Sequence, residues 1–538
     1  MTATSKRWIG AGLVILVSAL CMGKNLGDEP PKDSRTPAPR GERRLLYVSD
    51  PSSIANNLFP DPVKADDLRR WVDELADSGV DTFNQEVYNQ CWTTYWNSRR
   101  FEYDPRPQHR RFLSLLEKGI QPLAILIEQC HRRKLTFIAG FRMNDNHGGV
   151  GRFVRAHPDW VLREFPEGEL YKASQPLDFT FAGPRDYVHD VIAEVVSRFD
   201  VDGVELCFRD HGYFPAGKGR ERAHLMTELV RRIRATLDDA GKAKRKKLLL
   251  GARVFSSLGE CQNLGLDVPT WIAKGAIDYL CPQDVMYADF NMPVAEFARL
   301  TRASKCMLYP AILPWTSARA RNRLDGIPLS TASCCALAHM YYCAGADGVS
   351  VYNHFTTMWH APFYPQAVRR LRVLGNPAAV AAGERHYIFD PTWGGLAYFG
   401  KDRTSTGAVK ANRISLDRTR NKAQGDYPFW LFEGLTRRER ATLLFRGFNL
   451  LGTDELEVAL NGNIIAADAL KRVGRGLPEQ GRIDFRKGKE PAFSTRWFEL
   501  KPSLIVRGEN KLSVALKKSD PQASGPIVID EVEVFVQP

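Results

Sequence analysis

The sequence predicts an α/β protein, a (β/α)8 TIM barrel followed by a C-terminal β-sandwich of jelly-roll type. Between residues 43 and 375, eight short apolar runs alternate with segments of helical periodicity, which is typical of parallel strands joined by helices. From residue 426 onward, β-branched and aromatic runs follow one another without helices. No Gly-x-Gly-x-x-Gly follows the first run, and this absence disfavours a dinucleotide-binding sheet.

The predicted barrel strands are the apolar runs of the first part of the chain. They span residues 45–49, 82–88, 136–142, 203–208, 248–255, 277–281, 306–313 and 348–352. The segment 67–76 illustrates the helices between them, because Leu68, Trp71, Val72 and Leu75 fall on one helical face. Eight such units over about 330 residues favour a closed barrel over an open sheet.

The N-terminus has the pattern of an export signal. Lys6 and Arg7 precede an apolar run, and small residues allow cleavage after Ala19, so residues 1–23 are predicted to be a signal peptide. Residues 24–42 are polar and rich in Pro, and they predict a disordered linker. We therefore expect an exported protein, periplasmic, extracellular or at the cell surface, without a stable membrane span after signal removal; a lipid anchor on Cys21 is an alternative.

The chain after the barrel divides into two predicted parts. Residues 376–425 are expected to form a connector packed on the barrel, and residues 426–538 the β-sandwich. Asn461-Gly462 is a strong hairpin signal, because both residues tolerate positive φ. The sandwich either binds sugar or buttresses the barrel.

The net charge bears on the class of binding partner, and the cysteine spacing bears on the state of the thiols. The formal net charge is +13, which favours anionic partners, but the charges are scattered and no nucleic-acid-binding motif is present, so no nucleic-acid partner is expected. The 10 cysteines contain no Cys-x-x-Cys pair, which indicates buried free thiols. No sequence feature indicates an oligomeric state.

Functional groups of such a barrel gather at the carboxyl ends of its strands. Side chains alternate along the fourth strand, so Glu205, Cys207 and Arg209 should point into the barrel. Glu205 is the predicted general acid, because burial raises a carboxyl pKa. The alternative is a structural ion pair of Glu205 with Arg142 or Arg209.

Glycosidic bond cleavage commonly needs a second carboxyl group. Glu86 of the second strand and Asp284 after the sixth are the candidates for base or nucleophile. A structural hydrogen bond for Glu86 and a loop-capping role for Asp284 are the alternatives.

Other polar and aromatic side chains at these strand ends are predicted to bind a carbohydrate substrate. The polar set is Asn84, Arg142, Asn144, His147, Arg209, Gln283 and Tyr352. Trp92 and Trp96 could stack on sugar rings, or instead pack on the barrel rim. No cofactor and no metal is expected. A metal-assisted hydrolase using Asp145, His147 and His211 is the less favoured alternative, because a metal site usually needs ligands at defined spacing.

Several segments together resemble the glycosyl-hydrolase-like family ten barrels, which are mostly bacterial and extracellular. They are AHPDWV at 156–161, LD at 177–178, PRDYV at 184–188, FDVDGVEL at 199–206 and ADGV at 346–349. The resemblance covers residues 45–375 and implies a barrel that hydrolyses O-glycosidic bonds of a poly- or oligosaccharide. Related barrels often carry an acid where this chain has Cys207, and the seventh strand holds no carboxylate. A non-catalytic glycan-binding barrel is therefore the alternative.

Overall fold

The structure, a computed structural model, describes most of the chain after residue 38. The described ranges are 39–88, 92–144, 151–163, 176–209, 212–285, 287–316, 327–354, 364–390, 412–420, 422–435, 439–474 and 493–538. All of them belong to one compact unit, residues 36–538. The predicted signal peptide and most of the predicted linker lie outside the described residues. In the described ranges, no helix is both long and apolar enough to cross a bilayer.

Parallel strands form the first part of the fold. They are β1 (Leu45–Ser49), β2 (Thr82–Tyr88), β3 (Thr136–Arg142), β4 (Gly203–Cys207), β5 (Leu249–Phe255), β6 (Tyr279–Gln283), β7 (Met307–Leu308), β8 (Ala311–Ile312) and, after the short β-pair β9 (Trp315–Thr316) and β10 (Ile327–Pro328), β11 (Val349–Tyr352). The sheet order is β7-β6-β5-β4-β3-β2-β1-β11-β8.

The two edges of this sheet are neighbours in sequence. Met307–Leu308 pairs with β6, and Ala311–Ile312 pairs with β11. The predicted seventh strand, 306–313, is thus present but interrupted, since Pro310 has no N–H to donate to a ladder. Because both edges come from one stretch of chain, the sheet curls back on itself, and the predicted TIM-barrel-like α/β fold is confirmed.

Helices cover the outer face of this sheet. They are α1 (Pro51–Asn57), α2 (Ala65–Asp77), α3 (Leu113–Leu116), α4 (Pro122–Arg132), α5 (Arg152–Ala156), α6 (Ala182–Arg198), α7 (Gly219–Lys244), α8 (Leu258–Asn263), α9 (Val268–Ala273), α10 (Val294–Arg302), α11 (Thr331–Ala344), α12 (Gln366–Arg369) and α13 (Pro377–Ala382). The predicted stripe on α2 is buried, and the Trp71 ring lies 5.5 Å from Tyr47 and 6.4 Å from Phe83 between ring centroids.

Aspartates precede alternate barrel strands and cap their neighbours. Each accepts a hydrogen bond at Oδ2 from a backbone N–H near the start of the preceding strand: Asp81 from Leu45 (2.8 Å), Asp202 from Phe137 (2.8 Å), Asp278 from Leu250 (2.9 Å) and Asp347 from Leu308 (2.9 Å). Two of these aspartates, Asp202 and Asp347, lie in the segments that carry the family resemblance. They act at the N-terminal end of the barrel, where sequence constraint reflects stability.

Asp347 is the most heavily bonded of the four. It also accepts from Arg40 N (2.9 Å), Nε (3.0 Å) and Nη2 (2.8 Å), and its side chain is buried. We expect Asp347→Asn to lower the free energy of unfolding by about 1–3 kcal/mol, because the amide group turns a donor toward Arg40. Urea unfolding measures this. The control is Asp239→Asn, which breaks an exposed ion pair with Lys242 and should cost less than about 0.5 kcal/mol. Equal losses of stability in the two variants would contradict the capping role of Asp347.

Two antiparallel sheets form the C-terminal part of the fold. One has the order β12 (Arg385–Phe389), β21 (Ile527–Gln537), β15 (Arg440–Phe448), β19 (Phe493–Leu500), β18 (Leu470–Gly474), with β13 (Ile414–Leu416) also on β21; the other has the order β14 (Gln424–Leu431), β20 (Gly508–Lys518), β16 (Glu455–Leu460), β17 (Asn463–Ile464). The predicted hairpin at Asn461-Gly462 is confirmed, with φ of 53° and 79°.

These sheets begin earlier than the predicted boundary at residue 426. Arg385–Phe389, inside the predicted connector, pairs with β21, and its apolar residues Tyr387, Ile388 and Phe389 are all buried. The Phe389 ring lies 4.9 Å from Phe429 of the second sheet. The first sheet also contacts the barrel, where His386 Nδ1 lies 3.2 Å from Ser333 Oγ of α11.

Candidate active site

Arg142 joins the carboxyl ends of four barrel strands. Its Nε donates to Glu86 Oε2 at 2.8 Å, and its Nη2 donates to Asp50 Oδ2 at 2.9 Å and to the Tyr352 hydroxyl. Asp50 follows β1, Glu86 is on β2, Arg142 ends β3 and Tyr352 ends β11. All four side chains are nearly inaccessible to solvent. We call these four residues the Arg142 cluster.

Tyr352 is a proton donor within the Arg142 cluster. Its hydroxyl lies 3.3 Å from Glu86 Oε2, and burial raises the pKa of Tyr352 well above its ordinary value. The phenol therefore stays protonated and donates a hydrogen bond to the Glu86 carboxylate. The Arg209 guanidinium covers the Tyr352 ring at 4.3 Å from its centroid, and Arg209 Nη1 donates to the Val285 carbonyl at 2.7 Å. The guanidinium groups of Arg142 and Arg209 thus fix the orientation of the Tyr352 ring.

Gln283 and Asp284 lie at the end of β6, as predicted, but both are engaged with the protein. Gln283 Oε1 accepts from Arg253 Nη1 at 2.6 Å, and Asp284 Oδ1 accepts from the Tyr287 backbone N–H at 3.1 Å. The second contact is the loop-capping arrangement that the sequence offered as the alternative for Asp284. Both side chains are buried.

Glu205 is sealed inside the barrel. Its Oε1 accepts from Arg253 Nε at 2.8 Å, and Arg253 also donates to Ser350 Oγ of β11 at 2.8 Å. Neither Glu205 nor Arg253 has any exposed surface. Through its hydrogen bonds to Glu205, Gln283 and Ser350, the Arg253 guanidinium connects β5 with β4, β6 and β11 across the barrel interior. Burial by itself would lower the pKa of Arg253, but the neighbouring Glu205 carboxylate raises that pKa above its ordinary value, so the guanidinium keeps its charge.

The prediction that Glu205 is the general acid loses support, because its carboxylate has no exposed surface and is held by Arg253, whereas Glu86 lines a small cavity. The structural-pair alternative was right in kind but named the wrong partner. Arg253 was missed, although a signal existed: it is the charged residue in the apolar run 248–255, on the same strand face as Gly251.

The predicted sugar platform does not form, because Trp92 and Trp96 are fully buried. The Trp92 ring packs 5.5 Å from Phe153 and 5.9 Å from Tyr187. Trp96 Nε1 donates to Glu194 of α6 at 3.0 Å. The two indoles therefore anchor the loop after β2 on the barrel, the packing alternative stated above, because their large apolar surface favours burial over stacking on sugar.

The two predicted asparagines are also internal. Asn144 is satisfied by the backbone: it donates to the Leu177 and Gly212 carbonyls at 2.9 and 2.7 Å and accepts from Leu177 N at 2.8 Å, so it orders these loops instead of contacting substrate. Asn84 lies in the barrel interior against Gly140, where an added Cβ would come within 2.5 Å of Asn84 Oδ1. Both amides are therefore removed from the set of substrate contacts.

The metal-site alternative cannot be placed in this structure. Asp145, His147 and His211 lie outside the described residues. For the same reason, the predicted contact of His147 with substrate stays a prediction. Within the described ranges, no three His, Cys, Asp or Glu side chains form a group that could hold a metal ion.

A buried histidine, His109, lines the same small cavity as Glu86. His109 Nε2 is 2.8 Å from Ser52 Oγ and 4.0 Å from Asp104 Oδ2. Serine and carboxylate face the same ring nitrogen, so this is not a nucleophile–base–acid relay, which needs them on opposite nitrogens. Burial lowers the pKa of His109 to about 4, against the opposing effect of Asp104.

This histidine should make the fold acid-sensitive. The folded pKa of about 4 is below the unfolded value of about 6.5, so between these values only the unfolded chain binds the proton, and stability falls as pH drops from 6.5 toward 4. The contribution is about 3 kcal/mol when complete. His109→Gln should flatten the loss between pH 7 and 4.5 in urea titrations. The exposed His224→Gln serves as control; an unchanged slope in His109→Gln would contradict the assignment.

Known proteins resemble this chain in sequence. Residues 52–229 match the family model described as "Glycosyl hydrolase-like 10". The Bacillus subtilis (strain 168) protein named "Glycosyl hydrolase YngK" is 24% identical over 328 residues, which cover 53% of this chain and 56% of that protein. The chain thus aligns with little more than half the length of this relative. The resemblance predicted from sequence is confirmed.

The solved structures that match this chain are more distant in sequence. The PgaB (BpsB) glycoside hydrolase domain from Bordetella bronchiseptica is 11% identical, with a TM-score of 0.44, and the match covers 62% of this chain and 99% of that domain. An α-amylase from Geobacillus thermoleovorans is 11% identical, with a TM-score of 0.39, covering 88% of this chain and 99% of the amylase.

Proposed function

We propose that the protein binds a poly- or oligosaccharide at the Arg142 cluster and cleaves its O-glycosidic bonds. The premise is that residues 52–229 match the family model described as glycosyl hydrolase-like 10. The observation that supports this is the convergence of Asp50, Glu86 and Tyr352 on one guanidinium, at the barrel end where catalytic groups gather.

The chemistry of the cluster assigns Glu86 the central role. A carboxylate that accepts from a guanidinium and a phenol is positioned as nucleophile or base. Arg142 and Tyr352 orient it, and Arg209 holds the tyrosine ring. Asp284, which follows β6 and which the sequence offered as base or nucleophile, takes the role of the acid in this proposal, and its Oδ1 accepts a hydrogen bond from the Tyr287 backbone N–H.

A second function, glycan binding without cleavage, is favoured by a specific observation. The position two residues after Glu205, where related barrels often carry an acid, is the buried Cys207, and Glu205 itself is held by Arg253. In this function the Arg142 cluster would recognise sugar hydroxyls only.

Export and domain roles belong to the same proposal. The apolar run after Lys6 and Arg7 supports secretion. We infer that the two antiparallel sheets form a jelly-roll-like sandwich that buttresses the barrel, supported by the contacts of Phe389 with Phe429 and of His386 with Ser333.

A glycan panel tests the two functions against each other. The purified chain is incubated with neutral, acidic and amino polysaccharides, and new reducing ends and binding are both measured. Release of reducing ends from at least one glycan is the expected result. Saturable binding without release would favour the second function, and the absence of both would contradict the proposal.

A further inference from the structure

A cavity opens at the N-terminal end of the barrel, the end opposite the Arg142 cluster. Its volume is about 180 Å³. Its lining includes the cationic side chains of Arg43, Lys247 and Lys305, the carboxylate of Asp278, and the rings of Tyr279 and Tyr309. Arg43 precedes β1, Lys247 precedes β5 and Lys305 precedes β7, so three separate loops bring their positive charges to one opening.

The charges of this opening do not cancel. Asp278 is already engaged by Arg234 Nη1 at 3.0 Å, by Lys247 Nζ at 2.5 Å and by the Leu250 N–H at 2.9 Å. Among the residues that the structure describes, neither Arg43 nor Lys305 forms an ion pair within 4 Å; Arg43 Nε donates to Thr136 Oγ1 at 3.2 Å, and its charge acts on Asp81 only from a longer distance. The opening therefore keeps an excess of positive charge.

The walls below these charges are aromatic. Tyr279 and Tyr309 are each only 4% exposed, and their rings meet edge to face with centroids 5.9 Å apart and an interplanar angle of 79°. Two fixed rings at this angle make a rigid apolar corner. At about 30 Å³ per water, the cavity exceeds what a single inorganic ion would fill.

We propose that this opening is a second binding site, for a small ring compound that carries a carboxylate or a phosphate group. The anionic group meets Arg43 and Lys305, and the body of the ring lies against Tyr279 and Tyr309. Charge-assisted hydrogen bonds from a guanidinium and an ammonium select the anion, and the tyrosine corner selects a body of ring size. The site does not depend on the function proposed for the Arg142 cluster.

Isothermal titration calorimetry of the full chain at low ionic strength tests this site. The probes are glucuronate and glucose 6-phosphate, with glucose as the uncharged match and sulfate as the anion without a ring. We expect both charged sugars to bind at least about tenfold more tightly than glucose or sulfate, the effect of one good charged contact. No saturable binding, or sulfate binding as tightly as the sugars, would overturn the proposal.

Variants locate the binding. Arg43→Ala/Lys305→Ala should weaken binding of the charged sugars at least about tenfold, whereas Arg110→Ala/Lys118→Ala, which removes the same charge from other exposed positions, should leave it unchanged. An equal loss in both would mean diffuse attraction and overturn the site. If the first variant does not fold, Lys305→Gln replaces it. Tyr352→Phe should not affect this binding, and a loss there would place the anion at the Arg142 cluster instead.

Discussion

Glu86→Gln is expected to lower kcat by about 10²- to 10⁴-fold on any glycan that the protein cleaves, the range typical of a lost acid–base or nucleophilic group. Glutamine keeps the shape of the side chain and an acceptor for Arg142 Nε, but it carries no charge with which to attack a sugar or activate water. The neighbouring Tyr352 and Asp50 keep their contacts with Arg142. Substrate binding should therefore change little while turnover is lost.

Three measurements separate this result from a structural defect. Steady-state kinetics give kcat, equilibrium binding of the uncleaved glycan gives Kd, and thermal unfolding reports the fold. Glu117→Gln, at an exposed position far from the strand ends, is the matched control and should behave as wild type. Unchanged kcat in Glu86→Gln would remove Glu86 from catalysis, and a parallel loss of binding and stability would assign it to the architecture of the barrel end.

The sequence predicts the barrel well because each of its signals is local. A buried strand needs a short apolar run, and a covering helix needs a stripe such as that of Leu68, Trp71 and Leu75; both are visible within a dozen residues. Even the interruption of the seventh strand follows from Pro310. The carboxyl ends that bear Glu86, Arg142 and Tyr352 were identified by the same means.

Partner choice across the barrel is a different problem. The register of β4 on β5 sets Cys207 beside Arg253 and Glu205 beside Gly251, where the missing Cβ makes room for the Tyr279 ring. That register is a property of the closed sheet and cannot be predicted from the sequence of either strand alone. Asp50 was missed for a related reason: it is the N-cap of α1, with Ser52 N 2.8 Å from its Oδ1, and its second oxygen then meets Arg142.

The loop aromatics show where composition misleads. A cluster of Trp and Tyr after β2 is equally compatible with a sugar platform and with an anchor on the barrel wall. The outcome depends on whether neighbouring elements supply a surface, and Phe153 and Tyr187 supply one for Trp92. A backbone in the left-handed region at Trp92, φ 61°, turns its ring toward them.

Breaking the Glu205–Arg253 pair should produce the largest stability loss in the chain. Arg253→Met removes the cationic partner of a fully buried carboxylate, and we expect the free energy of unfolding to fall by about 3–5 kcal/mol. The double variant Arg253→Met/Glu205→Leu removes the stranded charge as well and should recover much of that loss. Urea unfolding of both single variants and the double variant closes the cycle.

A further variant, Glu205→Gln, decides between a structural and a catalytic role for Glu205. If the pair is structural, Glu205→Gln lowers stability but leaves kcat per folded molecule near the wild-type value, since this side chain contacts no substrate. The exposed pair of Arg132 with Glu128 provides the control, and Arg132→Met should cost less than about 0.5 kcal/mol. A Glu205→Gln protein as stable as wild type but inactive would reverse the assignment, because activity lost without a loss of stability points to a direct role in the reaction.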